Sequence, residues 1–437
     1  MSGGAPTSSL SRRAALRLGA GAVLAATAQA QDATEDLARS LREAARRRGA
    51  VRLRQGVTTI RSLELPDGAT LIGGRGSTLR LQGVGPLLWA KDASRIALEG
   101  VTLDGSSGVI ERDRGLVDFK NVARLSIHGC AIKNSSAQGI KLVRCGGVFA
   151  QNLIERADAA GYHSLDGFGV DIDGNHVRDC GDNGVLVWTS KPGAFEGSRV
   201  RNNLIEDVHN LSGGDGPYGN GVGIWRSGGV RVENNRIFRC AYTFVRDNEA
   251  TDTLVESNDC KVCGERAMYA EFGAKRATFR NNRIEDAGAG VAVTNARSHG
   301  TDFGVVAGNT IVDLRERHPD GEFGAGMFWR TGILGERNCE IAGNSVVGPA
   351  WIGIALAGWR ENVRAEDNVI EGVDYGIVFA VGEGVGEGMI LRNRIRRSRK
   401  AAMTAFAYIT PASGDLMAPS AKTDAFPRLV IRDNSLE

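Results

Sequence analysis

From Val51 to Leu436 the chain breaks into short runs in which apolar and polar residues alternate, separated by Gly, Asn and Asp. Alternation with a period of two marks strands with one buried face. One run recurs in fixed form, as Asn, then any residue, then a small or aliphatic apolar residue. It begins at Asn152, Asn175, Asn203, Asn235, Asn258, Asn282, Asn309, Asn344, Asn368, Asn393 and Asn434, at intervals of 23 to 41 residues. Gly100-Val101-Thr102-Leu103 and Gly129-Cys130-Ala131-Ile132 are earlier copies with altered signatures. Self-similarity at this period means stacked repeats, and the shortest interval fits one coil of three short strands and three turns. Asn and Gly tolerate the left-handed backbone that a turn between parallel strands needs. Stacked Asn side chains can also bond one another and the next coil's backbone. The pattern therefore predicts an all-β, right-handed parallel β-helix. The L-x-x-L-x-L pattern of a leucine-rich repeat and the Trp-Asp dipeptides of a propeller are both missing.

Ahead of the repeats, Leu37, Leu41, Ala44 and Ala45 fall at helical spacing, which predicts a helix over about 34–48 covering the open end of the stack. Gly49–Leu53, Leu63–Gly73 and Ser77–Leu81 follow as strands and turns. This entrance resembles that of pectin-lyase-like β-helices: a capping helix, a strand, an L-P-x-G-x-x-L-x-G turn, then the first coils. Together with the N-terminal segment read below, residues 31–437 resemble the family of twin-arginine-translocated uncharacterised repeat proteins. The resemblance implies the fold. It assigns no activity, because this superfamily hosts many.

Glycine is unusually abundant, at 59 residues, and proline scarce, at 10, so the composition is neither collagen-like nor disordered. The first thirty residues carry Arg12, Arg13 and Arg17 and no acid, then an apolar stretch from Leu18 to Ala28 and an Ala28-Gln29-Ala30 site. That is the form of a cleaved signal peptide over residues 1–30, and the paired arginines resemble a twin-arginine signal. The twin-arginine export machinery is then a partner, and the destination is the periplasm or the outside. The remaining chain has equal numbers of acidic and basic residues, which argues against nucleic-acid binding. It carries no second apolar segment long enough to span a bilayer.

Seven cysteines are present. Cys180, Cys240 and Cys263 each lie five residues after a repeat Asn, so they should share a column. Cys240 and Cys263, on adjacent rungs, could be bonded or could simply pack as thiols. The Cys260–Cys263 CxxC lacks a second pair for zinc and is read as a coincidence of the repeat.

The core of a solenoid is packed, so chemistry belongs on outward positions and loops. Stacking Gly184–Trp188, Gly221–Trp225, Ala267–Glu271, Gly290–Thr294 and Gly326–Arg330 sends Trp188, Trp225, Tyr269, Glu271 and Arg330 outward. An aromatic ladder beside carboxylates and arginines suits sugar rings. Between these strands, Thr243–Glu249 has two possible registers. Val245 inward, favoured because it lies ten residues after its repeat Asn as Val185 and Met268 do, exposes Arg246 and Asn248; Phe244 inward exposes Asp247 beside Glu271. Two insertions leave the same corner and should wall a groove: His209–Asn220, which holds Asp215 and Tyr218, and Arg315–Glu322. Gly161–Asp166, which includes His163, is a third candidate wall.

The predicted site is thus Asp247, Glu271, Arg246 and Arg330 for catalysis, with Trp188, Trp225, Tyr269, His163, Asp166, His209, Asp215 and Tyr218 for substrate. Neighbouring carboxylates could act as an acid/base pair or hold Ca²⁺, the one cofactor considered. Lyase chemistry would instead use a base among Arg246, Arg330, Lys141, His163 and His209. Two functions follow: binding or processing of an extracellular or envelope polysaccharide by a lyase or hydrolase, or a non-catalytic carbohydrate-binding or structural scaffold.

Overall fold

The computed structural model describes all residues except 1–11, 215, 317–329, 383–385, 422, 424, 425 and 427. It is a right-handed parallel β-helix of about 14 turns. Each turn contributes three strands, and each strand pairs in parallel with its counterpart one turn away, as Ile154 does with Val177, Tyr162 with Val185, and Ile172 with Val200. Three parallel faces result. The first follows the repeat Asn, the second holds 183–188 and its equivalents, and the third holds 170–173 and its equivalents. Inward positions form one continuous apolar core, with Ile154, Val177, Ile205 and Ile237 stacked in a single column.

The repeat Asn forms a continuous ladder from Asn152 to Asn434, and its N-terminal end accepts from the Cys130 N–H. At each step the Asn backbone N–H donates to Oδ1 of the next Asn at 2.8–3.1 Å. Its Nδ2 donates to the same oxygen and to a backbone carbonyl of the preceding turn, as Asn258 does to Asn282 Oδ1 and Val232 O, both at 2.9 Å. Ten of these eleven amides are buried, Asn434 being half-buried. The expected backbone role falls elsewhere: the left-handed residue is the one just before the ladder Asn, such as Asn234 (φ 55°), Ser257 (φ 57°) and Gly308 (φ 65°). That residue makes the turn, and the ladder Asn is left free to satisfy buried polar groups.

The N-terminal helix spans Arg12–Arg46, which is longer at its start than the expected 34–48 and runs unbroken through Ala28–Ala30. Ala30, Leu37 and Leu41 are buried against the first coil, and Thr34 Oγ1 accepts from the Arg61 N–H at 2.8 Å. This helix shields the first open coil, where core and strand edge would otherwise meet water. Among the described residues no helix is long and apolar enough to cross a membrane.

All seven cysteines are free thiols and buried. Cys180, Cys240 and Cys263 share one column as expected, with Val208 on the rung between Cys180 and Cys240, and Cys240 and Cys263 as register partners.

Candidate functional site

The second face carries the polar and aromatic side chains. Its inward positions are those expected: Val185, Val187, Val222, Ile224, Met268 and Ala270 are buried. Two outward columns alternate with them. One runs Lys141, His163, Leu186, Gly223, Arg246, Tyr269. The other runs Leu165, Trp188, Trp225, Asn248, Glu271.

The strand 245–248 takes the register with Val245 inward, against Val222 and Met268. Asp247 therefore aligns with Ile224 and Ala270 in the core, fully buried, and neither carboxylate oxygen makes a hydrogen bond. Burial pushes its pKa up to about 7, against the pull of the nearby Thr253 hydroxyl. This corrects the expectation that Asp247 sits in the groove. A second correction concerns Arg330. The strand stacked on 289–293 is Thr331–Arg337, with Ile333 against Val291, so Arg330 lies at the corner before the strand and not in the outward column. Gly290 faces Gly332 so closely that an added Cβ would lie 2.1 Å from its carbonyl oxygen. The insertion after Asn309 falls, from residue 317 on, outside the described residues, as do Gly326–Trp329 and Asp215.

Trp188 and Trp225 are register neighbours, half-buried, with ring centroids 5.3 Å apart at 70°. The His163 ring meets Trp188 edge-on at 4.7 Å, and Arg226 lies over Trp225 at 4.3 Å. Beside the two indoles opens a cleft of about 270 Å³, lined by Leu186, Trp188, Pro217, Trp225, Arg246, Asn248 and Phe272. The insertion after His209 forms one wall, as expected, through Gly216, Pro217 and Asn220. It is held down by Ser212, which donates from N and Oγ to Asp182, and by Tyr242, which donates to Gly214 O at 3.0 Å. Tyr218 is half-buried in that loop. The supposed third wall, 161–166, is part of the sheet itself, so His163 belongs to the floor.

Arg246 is buried at the edge of this cleft. Its Nε donates to Glu271 Oε1 at 2.6 Å, and its Nη1 donates to Gly216 O at 2.9 Å and to Glu265 Oε2 at 3.3 Å. Gly216 has φ +94°, and an added Cβ there would meet the guanidinium, so the contact requires glycine. Burial pulls the Arg246 pKa down, but Glu271 and Glu265 more than offset it and hold the guanidinium charged. For Glu271, burial wins over Arg246 and raises the pKa to about 7. Tyr269 lies between Arg246 and Arg266, 5.3 and 5.2 Å from its ring. Further along, Glu336 accepts from the Thr294 hydroxyl and the Ala296 N–H, and burial raises its pKa.

Two expected binding residues lie away from the cleft. Asp166 sits at a corner and accepts from the Ser190 N–H at 2.7 Å, and His209 faces Asp179 at 3.1 Å on an exposed turn. Sequence reasoning missed Glu265, Phe272 and Glu336. Glu265 lies at a bulge between Cys263 and Arg266, where period-two counting loses its place. Among the described residues no three His, Cys, Asp or Glu side chains converge to hold a metal ion.

Comparison with known proteins is consistent with this architecture. The family described as "Right handed beta helix region" matches residues 114–209 and 193–312. No curated protein matches the chain. Among solved structures, the N-terminal fragment of bacteriophage phi29 gene product 12 is similar at a TM-score of 0.52 and 13 % identity, over 92 % of this chain and 68 % of that one. The pre-mature form of the same phage protein gives 0.51 and 12 %, over 87 % of this chain and 56 % of its own. A PL6 alginate lyase in complex with a trisaccharide gives 0.45 and 12 %, over 88 and 90 %. At these identities the likeness is one of fold: the chain is a right-handed parallel β-helix whose central turns match the model of that region.

Proposed function

We propose that this protein is exported by the twin-arginine route and binds or processes an extracellular or envelope polysaccharide in the cleft between Trp188, Trp225 and the 209–219 loop. The observation that carries this reading is the Trp188–Trp225 pair, half-buried side by side at the cleft. Aromatic faces in a concave apolar site, with a few polar groups at its edge, are the usual means of holding a sugar ring. Asn248 supplies an amide at the same edge. Processing, by lyase or hydrolase chemistry, would draw on Glu271, Arg246 and Tyr269, which are contiguous there.

The first experiment is a screen of the mature chain on acidic and neutral polysaccharides, with and without Ca²⁺. It would read unsaturated products, reducing ends and binding. Binding lost in both Trp188→Ala and Trp225→Ala supports the cleft, and binding unchanged in both overturns it. Export is tested separately, by Arg12→Lys with Arg13→Lys, which should leave the chain in the cytoplasm.

A second reading, a non-catalytic carbohydrate-binding or structural scaffold, is favoured by one specific observation. Arg246 is already saturated by two carboxylates and a carbonyl, and Asp247 is in the core. Binding without product on any polymer would select it.

A further inference from the structure

Lys141 differs from the other cations of this face. It is half-buried, and among the described residues no carboxylate lies within ion-pair distance of it. The nearest acid in its column, Asp118, is engaged by Arg114 Nε at 2.8 Å and by the Gly115 N–H at 3.2 Å. The polar partner Lys141 does have is His163, with Nζ 2.9 Å from Nδ1. Burial and the Lys141 charge together press the His163 pKa well below its ordinary value, and an imidazole, neutral or protonated, supplies no negative charge. A partly buried cation with no paired anion is costly, and burial pulls Lys141 down to about 8, outweighing Asp118 and Asp113, which attract the ammonium from beyond ion-pair distance.

The position gives this cation a use. Lys141, His163 and Leu186 are consecutive in one outward column, and Trp188 lies on the Leu186 rung. Lys141 is therefore two rungs along the axis and two residues across the strand from Trp188, about 12 Å between backbones, with the His163 ring packed against the indole between them. A glycan seated on Trp225 and Trp188 and running along the helix axis would reach Lys141 within its next units.

We infer that Lys141 is a carboxylate-recognising subsite, so that the preferred ligand is a polysaccharide containing uronate sugars. The inference rests on the polysaccharide reading and names its substrate class. Arg246 cannot fill that role, being neutralised by Glu271 and Glu265.

The test compares binding of an oligogalacturonide and of its carboxyl-reduced, neutral counterpart to the full chain by calorimetry. Lys141→Met should weaken the acidic ligand by roughly tenfold or more, as loss of a charged hydrogen bond does, and leave the neutral ligand unchanged. Lys141→Arg should retain the preference, which separates loss of charge from loss of fold. Equal affinity of the wild-type chain for both ligands, or a Lys141→Met chain that still prefers the acidic one, would overturn the inference while leaving the cleft standing. Failure of the wild-type chain to bind either ligand would remove the polysaccharide reading as well.

Discussion

Arg246 and Glu271 stand on adjacent rungs and in neighbouring columns, joined at 2.6 Å where both side chains are cut off from water. Each depends on the other, because the pair sits under the 209–219 loop with Glu265 as the third member.

Removing the cation should be far more damaging than removing one acid. Arg246→Met leaves Glu271 and Glu265 buried together without a counter-ion, a loss on the order of 3–5 kcal/mol. Glu271→Gln keeps an oxygen for Arg246 and leaves the guanidinium paired with Glu265, so it should cost clearly less. Urea unfolding midpoints measure both; equal, small shifts would mean that water reaches the pair.

Asp247 makes stability depend on pH in a definite direction. Its folded pKa, about 7, lies above the ordinary 3.8, so between those values the native state holds a proton that the unfolded chain has released. Stability is then full below about pH 3.8 and declines as pH rises to 7, by an amount on the order of 4 kcal/mol from this group alone. Glu271, also raised to about 7, adds a slope of the same sign, so Asp247→Asn should remove only its own share, and melting temperatures at pH 5 and pH 8 would show the reduction. A variant that keeps the wild-type slope places the titration elsewhere.

The Asn ladder should be most sensitive in its middle. Asn258→Ala strips the acceptor from Asn235 and the donors to Asn282 and Val232, leaving buried groups unpaired. The expected loss is about 2–4 kcal/mol. Asn434→Ala, at a half-buried step, should cost less than half as much. Denaturation monitored by far-UV circular dichroism distinguishes them.

These residues also show where the sequence was readable. The ladder Asn stood out because an amide recurring at one place in eleven successive turns has few alternatives. The strand at 243–248 was harder, because Phe244 and Val245 are both apolar and both buried, and only the ten-residue spacing from Asn235 favoured the register that forms. The structure settles it at the cost of an inward acid, which no alternation rule would choose. Arg330 was misplaced for a related reason. Two segments, 326–330 and 331–337, begin with or near glycine and continue apolar, and only the close approach of Gly290 to Gly332 selects the second. The Trp188–Trp225 pair was legible because neither strand is interrupted.

Every amide of the ladder points the same way, with its oxygen toward the N-terminal helix and its nitrogen toward the C-terminal end. The array therefore has a polarity that no single turn reveals, and its bonds reinforce one another as aligned dipoles do. A whole turn, such as 258–281, begins and ends on equivalent ladder positions. Excising it would bring Asn235 against Asn282 in the geometry that every other step already has. The length of such a molecule is a countable variable, set by how many interchangeable units lie between the helical cap and the last coil.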